Sequence, residues 1–184
     1  MARKLILFDN ISLDGFYEGK NHDLSWNNVD PEYDKFAIKQ LKSTDLILFG
    51  RKTYELMAKF WPTPEAIKRE PIIADFLNNT PKIVVSKTLD KADYNNSRII
   101  KENIIEEIKK LKEMPGKNII ILGSSDLAVS IIDLIDQFEI MVNPILVGEG
   151  KSIFYGIDKR INLELVKTQQ FKSGNVLLSY KHKK

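Results

Sequence analysis

Apolar residues in the first 136 positions alternate between short continuous runs and longer stretches with helical spacing. The short runs predict strands at 4–10, 45–49, 82–85, 98–100 and 118–122. The longer stretches predict helices at 31–42, 53–60, 72–78, 102–113 and 126–136. Alternating strands and helices are typical of a mostly parallel sheet covered by helices on both faces.

The C-terminal third shows a different pattern. Strands are predicted at 138–142, 162–171 and 176–181, and Lys172-Ser173-Gly174-Asn175 between the last two is typical of a hairpin turn. The whole pattern predicts an α/β fold of three αβα layers, with a mixed sheet that is mostly parallel and has an antiparallel C-terminal hairpin. No repeat, linker or low-complexity segment divides it, so residues 1–184 are interpreted as a single domain.

Composition excludes several classes of site. The chain has no cysteine and two histidines, one in a predicted loop and one at the C-terminal end. Disulfides, thiolate nucleophiles and zinc sites built on cysteine or histidine clusters are therefore excluded, and a histidine-based triad is not expected. We expect no metal.

Charge and hydropathy limit the kinds of partner that the chain is expected to have. The net charge is +3, and the basic tail Lys181–Lys184 contributes much of the excess. No stripe of basic and aromatic residues indicates nucleic acid, and no apolar run reaches the roughly 20 residues that span a bilayer. The first strand begins after three residues, which leaves no room for a signal peptide. We therefore expect a cytoplasmic protein with a small-molecule substrate and neither a nucleic-acid nor a membrane partner.

Two junctions between a strand and a helix are suited to phosphate. Gly50-Arg51-Lys52-Thr53 offers a glycine, two cations and a hydroxyl, and Gly123-Ser124-Ser125 offers close backbone approach. Parallel sheets bind ligands at the carboxyl ends of their strands, where both junctions lie. Ser86-Lys87 follows a third strand and is a weaker candidate for another anionic group.

A third glycine-rich segment, Gly148-Glu149-Gly150-Lys151-Ser152, has the lysine and serine of a phosphate-binding P-loop. The spacing excludes that interpretation, because the P-loop motif needs a glycine where Ile145 stands and a long helix afterwards. We predict a tight loop instead.

Asp34 is the candidate acid. It lies three residues after Pro31, in the first turn of a predicted helix, where a carboxylate also stabilises the helix simply by its position. Asp30 and Glu32 lie close enough to serve equally well if the helix begins elsewhere. Asp14, which precedes Gly15, is interpreted as a turn former.

Four motifs in order resemble one known group of enzymes. They are Ile11–Gly15, Leu48–Glu55, Ile121–Leu127 and Pro144–Gly150. With these motifs the chain resembles the dihydrofolate reductase-like superfamily, and most closely the reductase domain of riboflavin biosynthesis. The resemblance covers nearly the whole chain and implies NADPH as the cofactor and a homodimer. A separate possibility is that the apolar C-terminal strands serve dimerisation, but the sequence does not locate the interface.

The resemblance also implies roles for individual residues. Gly50, Arg51 and Thr53, with Lys52 beside them, would hold the NADPH phosphates, and Ser86 and Lys87 would contact the 2′-phosphate. Gly123 and Ser124, followed by Ser125, would approach the pyrophosphate. Asn10, Ile11 and Tyr17 would border the nicotinamide, and Asp34 would serve protonation of the substrate.

Three departures from the superfamily pattern affect the expected function. Ser124 replaces the second of two consecutive glycines, Thr80 stands where an arginine binds the folate tail, and Val142 stands where a threonine bonds the catalytic acid. The last two argue against dihydrofolate as the substrate. We therefore predict an NADPH-dependent oxidoreductase acting on a C=N or C=O-derived group of a pteridine- or pyrimidine-like heterocycle. The alternatives are dihydrofolate reductase activity proper and a non-catalytic NADP-binding or regulatory module.

Overall fold

The computed structural model describes residues 3–183. Its strands are β1 (Leu5–Ser12), β2 (Phe16–Gly19), β3 (Thr44–Gly50), β4 (Lys82–Val85), β5 (Ser97–Ile100), β6 (Asn118–Leu122), β7 (Gln137–Asn143), β8 (Gly150–Ser152), β9 (Leu163–Gln170) and β10 (Val176–His182). Eight of them form one sheet in the order β5-β4-β3-β6-β1-β7-β10-β9, and β2 pairs with β8 in a separate ribbon. All pairs from β5 through β7 are parallel, and β10 is antiparallel to both of its neighbours.

Within residues 3–183, six α-helices connect the strands. They are α1 (Pro31–Lys42), α2 (Arg51–Phe60), α3 (Pro64–Arg69), α4 (Pro71–Asn79), α5 (Ile104–Glu113) and α6 (Ser125–Ser130). A short 3₁₀ turn at Lys20–His22 follows β2, and another at Ile132–Leu134 follows α6. The mixed α/β sheet with its antiparallel C-terminal strands confirms the predicted fold class.

Side chains that alternate along each strand build two separate cores. On one face, Leu5 and Leu7 of β1 pack in the same cluster as Ile108 of α5 and Leu127 of α6. On the other face, Phe8 packs in a cluster with residues of α1, α2 and α4. Because both faces of the central strands are buried, β6 is a continuous apolar run, as expected for a parallel sheet.

The sequence prediction missed three short elements and overextended one. Strands β2 and β8 and helix α3 are three to six residues long, too short to produce a recognisable period. The helix predicted at 126–136 ends at Ser130, because Ile131 leaves the helical conformation and a 3₁₀ turn follows. None of the helices within residues 3–183 combines the length and apolar character needed to cross a membrane.

The segment at 148–152 contains a strand as well as the predicted loop. Gly150 begins β8, and a Cβ atom at this position would lie 2.1 Å from the Glu18 carbonyl oxygen across the ribbon. Glycine is therefore required here by the close approach of two strands rather than by a phosphate.

A candidate active site at the carboxyl edge of the sheet

The predicted phosphate junctions lie side by side. Gly50 at the end of β3 is level with Val85 of β4, and Leu48 is level with Ile121 of β6. Ser86-Lys87, Gly50–Thr53 and Gly123–Ser125 therefore form a row along three adjacent strands, and β1 continues it. With strands about 4.8 Å apart, the row from β4 to β1 is roughly 14 Å long, so an extended ligand could contact all of it.

A direct hydrogen bond joins the two stronger junctions. The Gly50 N–H donates to Ser124 Oγ at 3.0 Å, and the Ser124 hydroxyl lies 3.3 Å from the Leu122 carbonyl oxygen, to which it donates. Gly123 and Ser124 both have left-handed backbone, with φ values of 58° and 65°. A Cβ atom on Gly123 would lie 3.4 Å from Thr53, so a side chain there would press on the neighbouring junction, Gly50–Thr53. The serine that replaces the expected glycine therefore ties the two junctions together.

The start of α2 offers donors for an anion. Helix α2 begins at Arg51, and its N-cap Gly50 contributes no side-chain acceptor to the first-turn N–H groups. Arg51 is exposed and donates to Glu55 at 3.1 Å, while Lys52 is exposed and Thr53 is half-buried. The helix terminus and the Thr53 hydroxyl thus supply neutral donors, with two cations beside them.

Ser86 and Lys87 follow β4 in a tight turn. Ser86 is buried, and its Oγ accepts from the N–H groups of Thr88 at 3.2 Å and Leu89 at 3.0 Å. Its own hydroxyl proton is still available to donate. Lys87 is exposed beside it, so the turn offers one donor and one cation at the β4 end of the row.

The residues expected at the nicotinamide lie on both faces of β1. Asn10 points toward α1, where its Nδ2 donates to the Tyr33 hydroxyl at 2.9 Å. Ile11 and Tyr17 pack against the core on the opposite face, and the Tyr17 hydroxyl donates to Glu18 Oε1 at 3.2 Å. These three residues therefore surround the end of β1 rather than forming one wall.

The three acids near the start of α1 have different environments. Asp30 is the N-cap, and its Oδ1 accepts from the Tyr33 N–H at 2.7 Å. Glu32 accepts from the backbone N–H of Lys172 at 2.9 Å. Asp34 Oδ1 is buried and has no hydrogen-bond partner among the described residues. Burial, with a smaller contribution from Asp30, raises the pKa of Asp34, so the geometry favours Asp34 over its two neighbours as a proton donor.

Two further sequence interpretations are resolved here. Val142 packs into the core on the α5/α6 face, whereas α1 lies on the other face, so residue 142 does not face Asp34. A side chain at position 142 therefore cannot be the partner of Asp34. Asp14 does form the turn before Gly15, and its carboxylate also accepts from the N–H groups of Val147 and Gly148.

Sequence analysis missed Asp9, a carboxyl group in the middle of β1. The residue is only 8% exposed; Oδ1 accepts from the N–H of Asn10 at 2.9 Å, and Oδ2 has no partner among residues 3–183. Burial raises the pKa of Asp9 to about 8, against the smaller opposite effect of the Asn10 N–H, with the nearby Glu18 charge raising it further. An acid inside an apolar strand was the available signal, since Asp is almost never buried without a reason.

A group of amides beyond β7 was also missed. Asn28 donates its N–H to Asn143 Oδ1 at 2.9 Å and its Nδ2 to the Ser173 carbonyl at 2.9 Å, and it accepts from Asn175 Nδ2 at 2.7 Å. Asn27 Oδ1, Ser173 Oγ and Asn175 Oδ1 remain buried without partners among the described residues. These residues come from distant parts of the chain, so no local pattern could have grouped them.

Comparison with known proteins gives both a family and a fold. A family model described as the RibD C-terminal domain matches residues 3–177. The chain is 37% identical over 180 residues to the uncharacterized protein YyaP of Bacillus subtilis (strain 168), and the alignment covers 97% of this chain and 94% of YyaP.

Two solved structures share the fold. The Thermotoga maritima diaminohydroxyphosphoribosylaminopyrimidine deaminase/5-amino-6-(5-phosphoribosylamino)uracil reductase matches with a TM-score of 0.71 at 16% identity, over 99% of this chain and 57% of that one. Dihydrofolate reductase from Enterococcus faecalis, complexed with NADP(H), matches with a TM-score of 0.66 at 18% identity over the full length of both chains. The fold expected from the resemblance is confirmed.

Proposed function

Because the chain belongs to the RibD C-terminal domain family, we propose that it is an NADPH-dependent reductase of a small pteridine- or pyrimidine-like heterocycle. The observation that carries this proposal is the alignment of three anion-suited junctions along the carboxyl edge of the sheet. Each junction alone is a common feature of α/β proteins. Their joint placement on adjacent strands, tied by the bond from Gly50 to Ser124, is what a dinucleotide site requires.

The residues present fit this cofactor. The free N-terminus of α2, the Thr53 hydroxyl and the exposed Lys52 would hold the pyrophosphate. Ser86 and Lys87 would hold the 2′-phosphate, since they offer one donor and one cation at the far end of the row. Asn10, Ile11 and Tyr17 surround the end of β1, where the nicotinamide would lie.

The chemistry divides between the cofactor and the chain. NADPH, when bound, supplies a hydride. The chain would supply a proton and orientation. Asp34 is the proposed proton donor, because its Oδ1 has no hydrogen-bond partner within residues 3–183 and burial raises the pKa of its carboxyl group. The reduction takes place on a C=N or C=O-derived group of the substrate.

The amides beyond β7 support a heterocyclic substrate. Amides can both donate and accept hydrogen bonds, and within residues 3–183 the side-chain oxygens of Asn27, Ser173 and Asn175 are buried without a partner. Ring systems such as pterins and pyrimidines carry N–H groups and carbonyls along their edges. Reduction of 5-amino-6-(5-phosphoribosylamino)uracil, the activity named for the Thermotoga maritima relative, is the nearest specific candidate.

Cofactor binding is the first test. NADPH added to the protein should enhance nicotinamide fluorescence and quench tryptophan fluorescence with a Kd in the micromolar range, and NADH should bind more weakly. Absence of NADPH binding at millimolar concentration would contradict the proposal.

Turnover is the second test. A panel of pterins, dihydrofolate and ribosylamino-pyrimidines should contain at least one compound that oxidises bound NADPH. If NADPH binds and none of these compounds oxidises it, the protein is better described as an NADP-binding or regulatory module.

A further inference from the structure

A buried lysine at the start of β4 takes no part in the chemistry described so far. Lys82 is only 1% exposed, although lysine is almost never fully buried unless its charge is satisfied. It lies at the amino end of β4, whereas the proposed cofactor junctions lie at the carboxyl ends of the strands. Its ammonium group therefore needs a separate explanation.

Three backbone carbonyls surround the Lys82 ammonium. Nζ donates to the carbonyl oxygens of Thr80 at 2.7 Å, Asn95 at 2.8 Å and Asn78 at 3.3 Å. It also lies 4.4 Å from the centroid of the Tyr94 ring, whose face attracts a cation. An ammonium has three N–H groups, so all of its donors are used. Burial lowers the pKa of Lys82 to about 8, so the group is mostly charged at neutral pH.

These partners belong to two different segments. The Asn78 and Thr80 carbonyls lie at the C-terminal end of α4, where backbone acceptors lack helical partners and the helix dipole favours a cation. The other partners lie in residues 87–96, which connect the end of β4 to the start of β5 and contain no helix or strand. Lys82 therefore fastens this connection, here called the crossover segment, to α4.

A second set of contacts joins the crossover segment to α2. The Tyr94 N–H donates to the Tyr54 hydroxyl at 2.8 Å, and the centroids of the two rings are 6.2 Å apart. Tyr54 is only 4% exposed and directly follows Thr53 of the proposed pyrophosphate site. The Tyr94 hydroxyl donates to Asn78 Oδ1 at 2.8 Å, so the crossover segment, α2 and α4 form one connected network.

The crossover segment begins in the proposed 2′-phosphate site. Strands β4 and β5 are parallel, so the segment must return from the carboxyl edge of the sheet to the amino edge. Its first residue is Lys87, its start is closed by the Ser86 turn, and its far end is held by Lys82. A segment without regular structure keeps one path only where it is tied down. The position of Lys87 relative to α2 therefore depends on both ties.

We propose that Lys82 is a positioning residue for the 2′-phosphate: it fixes the crossover segment against α2 and α4, and thereby sets the distance between the β4 turn and the α2 terminus. This inference rests on the proposed function. The pyrophosphate and the 2′-phosphate of one cofactor are joined by a fixed number of bonds, so their sites must be held at a matching separation. Lys82 itself lies at the opposite end of β4 and acts through Lys87.

Cofactor selectivity provides the first test. Lys82→Met keeps an unbranched side chain and removes the ammonium. We expect it to lower the ratio of NADPH affinity to NADH affinity by about three- to tenfold, as for Lys87→Gln, and to change NADH affinity by less than about twofold. Fluorescence titrations in one buffer measure both affinities. A general loss of stability would weaken both cofactors alike and leave the ratio unchanged.

A double variant tests whether Lys82 acts through Lys87. The two residues flank β4 and lie roughly 13 Å or more apart at about 3.3 Å per residue, a separation at which substitutions usually have additive effects. We expect Lys87→Gln to lower the affinity ratio in the wild type and to have a much smaller effect in the Lys82→Met background, because the turn is already displaced there.

Hydrogen exchange of the free protein tests the network without any cofactor. The Tyr94 N–H should exchange at least about tenfold faster in Lys82→Met than in the wild type, because the crossover segment opens more readily. Tyr54→Phe removes the acceptor of this N–H and should change both exchange and selectivity in the same direction. It takes the place of Lys82→Met in every measurement if Lys82→Met fails to fold. Asp93→Asn breaks an exposed ion pair with Lys91 on the same segment and should change neither quantity.

The outcomes separate this inference from the proposed function. Four results would overturn the role of Lys82 and leave the reductase in place: equal affinity of the wild type for NADPH and NADH, an unchanged affinity ratio in Lys82→Met and Tyr54→Phe, additive effects in the double variant, or an altered ratio in Asp93→Asn. Failure of the wild type to bind either cofactor would overturn both proposals.

Discussion

Asp30 and Asp34 are separated by one turn at the start of α1, and Asp30 is bonded to the helix backbone through its side chain. We expect Asp34→Asn to lower turnover by about 10²- to 10⁴-fold, the usual contribution of a positioned general acid, and to leave NADPH affinity within about twofold. Steady-state kinetics with the best substrate and fluorescence titration with NADPH measure the two quantities.

Asp30→Asn is the matched control for that prediction. Asparagine caps helices about as well as aspartate, so the fold and turnover should be retained. Because Asp30 contributes to the raised pKa of Asp34, its removal should shift the alkaline limb of the pH–rate profile to slightly lower pH. Equal losses of turnover and NADPH affinity in Asp34→Asn would instead identify a structural residue.

Asp9 gives a prediction about stability in the absence of any ligand. Its pKa is about 8 in the folded chain against 3.8 for an unperturbed group, so between these values the folded state holds one more proton than the unfolded state. The free energy of unfolding of the wild type should therefore fall, relative to that of Asp9→Asn, by about 1.4 kcal/mol per pH unit in this window. Urea denaturation at several pH values between about 5 and 8 measures the slope.

If the difference in unfolding free energy between the wild type and Asp9→Asn did not change with pH across that window, Asp9 would ionise normally. The stabilising proton is fully present near pH 4 and is lost as the pH rises through about 8. Exposed acids such as Asp133, whose pKa is lowered by Lys159, act in the opposite sense and at lower pH. They therefore leave the slope between pH 5 and 8 unaffected.

Single residues differ in how far the sequence could reveal them. Asp34 was identifiable because it follows a proline that begins a helix, and Gly50 because it follows an apolar strand. Asp9 offered one signal, an acid inside an apolar strand, but its burial depends on α6 and β2, which are distant in sequence. The amides of Asn28 and Asn175 are 147 positions apart and meet only in the fold.

At the level of elements, the α2 terminus and the β4 turn should contribute differently to cofactor affinity. Thr53→Val removes a hydroxyl at constant shape, and we expect it to weaken NADPH and NADH alike by about tenfold or more, as for a hydrogen bond to a charged group. Lys87→Gln removes an exposed cation from the other turn, and we expect NADPH to weaken by about three- to tenfold and NADH to be unaffected. Fluorescence titrations with both cofactors measure all four affinities.

The dependence of these affinities on ionic strength provides the control for the two variants. The effect of Lys87→Gln should shrink as ionic strength rises, because an exposed charge is screened, whereas the effect of Thr53→Val should persist. If Lys87→Gln weakened NADH binding as much as NADPH binding, the β4 turn would not be the site of the 2′-phosphate.

Elements bounded by proline, glycine or polar residues were predictable, whereas the ribbon of β2 and β8 was not. Helix α1 and strands β4 and β6 have the predicted bounds, because their ends carry proline, glycine or polar residues. The ribbon of β2 and β8 has seven residues in all and depends on the fit of Gly150 against Glu18. This fit depends on packing between segments that are distant in sequence, so the local pattern of apolar residues does not predict it.

Over the whole molecule, the sheet has two very different edges. Strand β5 at one edge has four residues, a length that limits pairing with another chain. Strand β9 at the other edge has eight residues, and its apolar side chains Leu163, Leu165 and Val166 are exposed. The inner side of β9 pairs with β10, and its outer side has no strand beside it among the described residues.

We propose that β9 pairs with the β9 of a second copy to form a homodimer with one continuous sheet. Exposed apolar residues on a long unpaired edge favour pairing, since main-chain hydrogen bonds and apolar burial both contribute.

Val166→Lys should convert the dimer to a monomer in light scattering after gel filtration, because a charge at the strand edge opposes pairing. Lys167→Gln, which leaves the strand uncharged at the neighbouring exposed position, should retain the dimer. The proposed cofactor residues lie on or directly after β1, β2, β3, β4 and β6, away from this edge, so monomeric Val166→Lys should bind NADPH as the wild type does. A wild type that is monomeric at high micromolar concentration would exclude the β9 interface, and a dimer that survives Val166→Lys would place the interface elsewhere.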